Sequence, residues 1–350
     1  MSVTPCGFLR TPEKGLTRLR VGDAFDLDAL RAMRGVELDW PDQSVPLDGV
    51  THLAAAGIPI TTERAPGWVP RELAALLTDR RWLAHEPDGT LRCVADLRRE
   101  EHSVRLRRLA HRTSTTPLVS VVMSTMRPHL VPFALGQLAR QRGVRVEVLL
   151  GLHGIAFEQV RQAVEDTPLP VEWFEADSGV PFGEVLNKAA APASGDYLAK
   201  WDDDDWYGPD HLADLVMART YSGGDVVGTT GEFFYLEPLD ATIRRTTFAS
   251  GAAYRSEVFD DHVAGGTILL KRDRFHEIGG FPAVPRAVDL GFLKAARAAD
   301  ATVYRTHGLG YVLRRALSGA HTWQLPLAHF LKVAANQWRG FRPSLLMEAA

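Results

Sequence analysis

The sequence predicts an α/β protein, a mixed, largely parallel sheet flanked by helices, with a small accessory domain at its N-terminus. Three observations predict it. After Pro117, short β-rich runs alternate with helix-like segments, as in a parallel sheet covered on its faces. Before residue 115, short apolar clusters are broken by turn signals such as "WPDQSVP", "APGWVP" and "EPDG". Between these regions the charged run Asp96 to Pro117 ends in small polar residues and reads as a linker, with a helix in its first part. The expected domains are therefore 1–115 and 116–350.

In the first domain, Asp26 to Arg34 places Leu27, Leu30 and Met33 on one helical face, and Pro70 to Leu77 starts with a proline suited to a helix N-terminus. In the second, 118–124 reads as a buried strand, 131–141 as a helix, 144–151 as a strand and 157–166 as a helix. The strand 170–177, the helix 183–193 and the strand Tyr197–Trp201 follow. Residues 224–237 look like strand structure, 265–275 like another strand and 287–300 like a helix. The run 326–338 reads as an amphipathic helix packed back on the domain, with membrane or partner docking as the alternative.

With 350 residues, 45% hydrophobic and 24% charged, the chain is long enough for one large domain and a smaller one. Lys and Arg (40) nearly balance Asp and Glu (43), so the net charge of -3 gives no reason to expect nucleic acid as a partner. The two cysteines, Cys6 and Cys93, form neither a disulfide framework nor a zinc cluster, which points to a reducing, cytoplasmic setting. No run reaches the roughly 18 apolar residues of a membrane span, so no transmembrane segment is expected. The Ala-, Arg- and Gly-rich, Lys-poor bias matches a high-GC, actinobacterial-like genome.

The strongest chemical signal is "KWDDDDWYGPDHL", in which Asp202, Asp203, Asp204 and Asp205 directly follow a strand. Four adjacent carboxylates repel one another and make a poor plain turn. At the carboxyl end of a strand in an open α/β sheet they suit Mg²⁺ or Mn²⁺ bound together with substrate phosphates.

On this motif residues 117–323, about three-fifths of the chain, resemble the family 2 glycosyltransferases of GT-A fold, whose signature is DxD or DxDD after a strand. The resemblance implies an inverting enzyme that moves a sugar from a nucleoside-diphosphate sugar, a UDP-sugar being the expected donor, to an acceptor hydroxyl. It implies that Asp202 contacts the nucleoside and the metal, that Asp204 holds the metal, and that Asp203 and Asp205 support them; a register shifted by one residue is the alternative. "STMRP" is similar to the family's nucleotide-pocket segment, which makes Ser124, Thr125 and Arg127 nucleotide-binding candidates. The second strand departs from the family: "GLHG" stands where an Asp-rich turn is usual, with His153 as the substitute hydrogen-bonding partner. Asn187 and Lys188 fall where a polar or basic residue lies near the nucleotide.

Gly265, Gly266 and Thr267 match the donor-sugar loop, and Gly279 and Gly280 the acceptor loop. Asp289 falls at the general base, although the usual acidic neighbour is replaced by Val288. His321 matches a C-terminal loop histidine that completes the metal shell or meets the diphosphate, with Trp323 on the acceptor side. Arg314 and Arg315 are candidates for neutralising the diphosphate. Lys200 either offsets the aspartates or contacts phosphate. Were Asp289 only a helix cap, Glu232 and Asp260 would be the next candidates.

The rival readings are a nucleotidyltransferase, which would want a Gly-rich loop where "STMRPHLVPFALG" has few glycines, and a non-catalytic nucleotide-sugar-binding scaffold. The residues do not distinguish a glycan, natural-product or peptide acceptor. For 1–115 they leave open acceptor recognition and homo-oligomer formation.

Overall fold

The computed structural model describes residues 5, 14–83, 94–113, 115–248, 250, 254–316, 326–342, 344 and 347. His321, Trp323, Cys6 and Cys93 lie outside the described residues. The chain divides into two compact units, 1–114 with 250–257, and 115–249 with 258–350.

The first unit contains β1 (Lys14–Arg20), α1 (Leu27–Arg31), β2 (Met33–Asp39), α2 (Asp48–Ala55), β3 (Ile60–Thr61), α3 (Arg71–Leu77) and α4 (Val94–Ala110). Its strands pair in parallel in the order β1-β2-β3. Val36, Leu38, Leu53, Ile60, Leu77 and Leu106 are among its core residues. The helix expected over Asp26 to Arg34 is shorter, because Met33 already begins β2.

The expected linker differs more. Residues 94–110 are helix α4, in which Arg99, Glu100, Glu101, His102 and Arg107 are buried. Arg99 Nε donates to the Arg34 carbonyl at 2.7 Å, and Arg107 pairs with Glu257 at 2.6 Å with both side chains at most 1% exposed. The charges that suggest a solvated run are thus internal partners. Because Glu257 belongs to the first unit, the chain re-enters it after residue 249, and a boundary at 115 does not separate the two units cleanly.

The second unit begins with β4 (Leu118–Thr125), α5 (Val131–Ala139), β5 (Arg145–His153), α6 (Arg161–Asp166), β6 (Val171–Ala176), α7 (Phe182–Ala190), β7 (Tyr197–Trp201), β8 (Trp206–Tyr207) and α8 (His211–Ser222). It continues with β9 (Val226–Thr229), β10 (Phe233–Leu236), β11 (Ala241–Arg245), β12 (Val258–Phe259), β13 (Leu269–Lys271), α9 (Arg272–Ile278) and α10 (Val288–Ala298). The last elements are β14 (Val303–Thr306), β15 (Tyr311–Arg315), α11 (Leu327–Val333) and β16 (Ala334–Arg339).

Among the described residues, eight strands form the main sheet in the order β12-β14-β9-β13-β7-β4-β5-β6. The β7-β4-β5-β6 run is parallel, β14 is parallel to β9, and β13 runs antiparallel to both its neighbours. This is the mixed, largely parallel, helix-flanked sheet expected. Its central strands read as apolar runs because both faces are covered: Val121, Leu150 and Ala199 pack in one core, Val122, Leu149 and Leu198 in the other.

A second sheet, β16-β11-β10-β15-β8, contains the element that departs from expectation. The run 326–338 is helical only to Val333; residues 334–339 alternate in exposure and pair antiparallel with β11. The partner strand lies about 95 residues earlier, so local periodicity could not reveal the pairing. The segment 265–275 also divides, with β13 reduced to three residues and α9 starting at Arg272.

Candidate functional site

The site forms at the carboxyl ends of β5, β4 and β7. Register decides which side chains share a face. Val122 pairs with Lys200 and Ser124 with Gly151, so period-two alternation puts Ser124, Lys200 and His153 on the side of the core that contains Val122 and Leu149. Trp201 falls on the opposite face beside Ala199. The four aspartates fill the short turn between β7 and β8, and β8 is fixed by antiparallel pairing with β15.

That turn divides three of its carboxylates between two cations. Arg127 Nη1 donates to Asp204 Oδ2 at 2.7 Å, while its Nη2 and Nε reach Asp203. Thr125 Oγ1 donates to Asp203 Oδ2 at 2.5 Å and accepts from the Arg127 backbone N–H at 2.9 Å. On the other side, Lys200 Nζ lies 2.6 Å from Asp202 Oδ1 and 3.1 Å from Asp289 Oδ1. Asp289 reaches this point from the first turn of α10, whose Val288, Phe292 and Ala296 are buried on another face. Burial works against the charge of Lys200 and of Arg127, but their carboxylate partners outweigh it and hold both pKa values above the ordinary range.

The glycine pair at 265–266 closes over the lysine cluster. A Cβ on Gly266 would lie 2.6 Å from Asp202 Oδ2, and one on Gly265 would fall on the Asp289 carboxylate, so a side chain at either place displaces a site carboxylate. Tyr207, which the sequence reading did not single out, fixes this closure. Its hydroxyl donates to the Gly266 carbonyl and accepts from the Asp202 backbone N–H, both at 3.0 Å. Asp205 points inward, where it accepts from the Tyr311 hydroxyl and, at 2.9 Å, from the Arg314 backbone N–H. Burial first, then Asp204 and Asp202, push its carboxyl up to about 8.

Other candidates have structural employment. Asn187 Nδ2 donates to the Phe281 carbonyl and its Oδ1 accepts from the Phe281 N–H, both at 2.8 Å, so its amide braces the 279–281 turn. Lys188 lies over the Phe174 ring at 4.4 Å. Thr267 is fully buried, with its hydroxyl donating to the Ala264 carbonyl and accepting from the Thr229 N–H. Gly279 and Gly280, at φ 95° and 75°, terminate α9: their N–H groups return to the carbonyls of His276 and Phe275. This helix-end geometry accounts for the pair without an acceptor.

Glu232 is locked in a buried pair with Arg244 at 2.6 Å, and Asp260 is paired with Arg305 at 2.6 Å, so neither stands open as a substitute base. Arg314 pairs with Glu237 and Arg315 lies over the Phe234 and Phe330 rings. Ser124 Oγ and His153 Nε2, by contrast, are buried and meet no hydrogen-bond partner among the described residues. Buried polar atoms are normally paired, so these two suit a polar ligand at the strand ends.

A divalent cation fits the donor set. Asp202 and Asp204 supply hard carboxylate oxygens at the substrate end of the sheet, with side chains 31% and 14% exposed. The Asp202 carboxyl is raised by burial and, against Lys200, by the charges of Asp289 and Asp204. No three possible ligands converge among the described residues, so the remaining positions would fall to diphosphate and water oxygens. Also among the described residues, no helix is long and apolar enough to cross a membrane.

No family model matches the chain. No curated protein matches it either. Among solved structures it is similar to a mannosyltransferase, PcManGT from Pyrobaculum calidifontis in complex with GDP-Man and Mn²⁺, at 20% identity and a TM-score of 0.48, over 75% of this chain and 71% of that one. It is also similar to S. aureus TarS 1-349 in complex with UDP-GlcNAc, at 17% identity and a TM-score of 0.43, over 62% of this chain and 64% of that one. For S. aureus TarS 1-349 in complex with UDP the figures are 18% and 0.41, over 57% of this chain and 60% of that one. At these identities and scores the likeness carries no conclusion about activity, and the functional reading rests on the site's own residues.

Proposed function

We propose that the chain is an inverting glycosyltransferase that moves a sugar from a nucleoside-diphosphate sugar, a UDP-sugar in the first instance, to an acceptor hydroxyl. One observation carries the reading. Two partly exposed carboxylates, Asp202 on the aspartate turn and Asp289 on α10, meet at one buried ammonium beneath a glycine loop with no room for side chains. The arrangement offers separate groups for the two tasks of the reaction.

Asp289 takes the proton of the acceptor hydroxyl as its oxygen bonds to the anomeric carbon. The bond from that carbon to the diphosphate breaks on the opposite face, and its electron pair leaves with the nucleoside diphosphate. Arg127 places positive charge beside the diphosphate, and Gly265 and Gly266 let backbone approach the sugar. Ser124 Oγ and His153 Nε2 offer hydrogen bonds to the nucleoside. When bound on Asp202 and Asp204, Mn²⁺ or Mg²⁺ would supply Lewis-acid stabilisation of the leaving group. Acceptor recognition or self-association is proposed for residues 1–115.

A donor screen reading nucleoside-diphosphate release tests the assignment, because slow donor hydrolysis reports the sugar without its acceptor. A metal-dependent rise in melting temperature with uridine or guanosine diphosphate is the expected companion result. Absence of both across the common donors would refute the reading.

A further inference from the structure

We propose that Lys200 is the positioning residue of the general base, holding the Asp289 carboxylate in place. The inference rests on the assignment of Asp289 as that base. Position 288 is committed elsewhere: Val288 is 2% exposed in the core shared by Phe275, Phe292 and Leu293. Helix α10 begins after Ala287, a non-glycine residue at φ 55° whose side chain offers no cap bond. The residue before the helix therefore offers Asp289 no side-chain bond. The Asp289 carboxylate is approached at 3.1 Å by Lys200 Nζ, from a strand separated from α10 by almost 90 residues of sequence.

Lys200 is well made for this. Its side chain is 2% exposed, and its backbone N–H donates to the Ile268 carbonyl at 2.8 Å, at the end of the glycine loop. A desolvated ammonium must be held by opposite charge, so its place depends on Asp202 and Asp289 together. Its distances to them are 2.6 and 3.1 Å, so their bound oxygens are at most 5.7 Å apart, and without the cation the carboxylates would repel. The ammonium stands 3.1 Å from Asp289 Oδ1 as an ion pair, and that buried oxygen meets no hydrogen-bond partner among the described residues, while a Cβ on Gly265 would find Oδ2 as its nearest atom, so the second oxygen is turned toward the glycine loop. Lys200 also bonds the aspartate proposed to meet the donor, which makes it the physical link between donor seating and base orientation.

A double-mutant cycle tests this. Lys200→Met fills nearly the same volume without charge, and should lower transfer at saturating substrates about 100-fold while nucleotide affinity stays within about fivefold. In an Asp289→Asn background the same change should cost less than about threefold, because a residue acting through Asp289 has nothing further to lose. A full further loss in that background, or a loss confined to donor affinity, overturns the proposal. If Asp289→Asn itself transfers normally, the assignment of the base has failed, which is a distinguishable result. Should neither Lys200→Met nor Lys200→Gln fold, melting decides. Asp289→Asn should melt at least about 3 °C below wild type because the buried ammonium has lost a partner, and an unchanged melting temperature overturns the proposal.

Discussion

The two cation clamps of the site are built inside out relative to each other. In one, the cation is nearer the surface: Arg127 is 25% exposed while Asp203 is 2% and Asp204 14%. In the other, the cation is interior: Lys200 is 2% exposed while Asp202 is 31% and Asp289 36%. Neighbouring residues of one tetra-aspartate run thus serve opposite ends. The arginine clamp turns positive charge outward, as suits the proposed diphosphate, and the lysine clamp turns carboxylates outward, as suits the proposed metal ligand and base. Exposure, more than residue type, separates the groups that hold the turn from those that can do chemistry.

The largest effect expected from breaking this contrast is at Asp289. Asp289→Asn should lower transfer by about two orders of magnitude or more, with nucleotide affinity changed by no more than a few-fold, as for loss of a general base. Steady-state kinetics with isothermal titration of the nucleotide checks both halves. Near-normal turnover would make Asp289 a helix-start residue and leave the lysine clamp structural.

The opposite split is expected at the arginine clamp. Arg127→Met should weaken nucleoside-diphosphate binding by about tenfold or more and lower stability by about 2 to 3 kcal/mol, because it leaves the Asp203 carboxylate buried without its cation. Calorimetry and denaturant melts measure the two. Unchanged nucleotide affinity would mean that Arg127 only neutralises the turn. The clamps also contribute one proposed metal ligand each, so chelation sharpens the comparison: Asp204→Asn should bind nucleotide equally poorly with and without Mn²⁺, whereas wild type should lose affinity only when chelated. A retained Mn²⁺ response in the variant would move the ligand set toward Asp202 alone.

Much of this was legible in the sequence, for physical reasons. Parallel strands covered on both faces read as apolar runs, and an aspartate cluster at the end of one is conspicuous. The assignment of individual aspartates was not, because the turn from β7 to β8 sends adjacent side chains to different partners. In the sequence Lys200 offers either an offset to the aspartates or a phosphate contact; its pairing with Asp289 appears only when tertiary folding brings the two near. Asn187, Thr267 and Gly279–Gly280 resemble ligand contacts in one dimension because the hydrogen-bonding and φ requirements of a braced turn select the same residue types. Tyr207 carries a faint signal, as the second of two aromatic residues that follow the aspartates.

The smallest effect expected is an acid sensitivity of the first unit itself, at His102. It is 3% exposed, its Nε2 lies 2.8 Å from the Ile60 carbonyl, and its ring stacks on Trp82. Burial lowers its pKa from 6.5 to about 4, against the Ile60 carbonyl and Asp79, which favour the proton, while Arg105 adds to the lowering. Between these values the unfolded chain binds a proton that the folded chain refuses, so the stability present above about pH 6.5 is lost progressively as the pH falls toward 4. At pH 5.5 the loss from this group is about 1 kcal/mol, smaller than the clamp effects. Denaturant melts at pH 7.5 and 5.5 should show that difference in the wild type and less of it in His102→Gln, which has no proton to gain. An equal acid loss in both proteins would assign the sensitivity to another group.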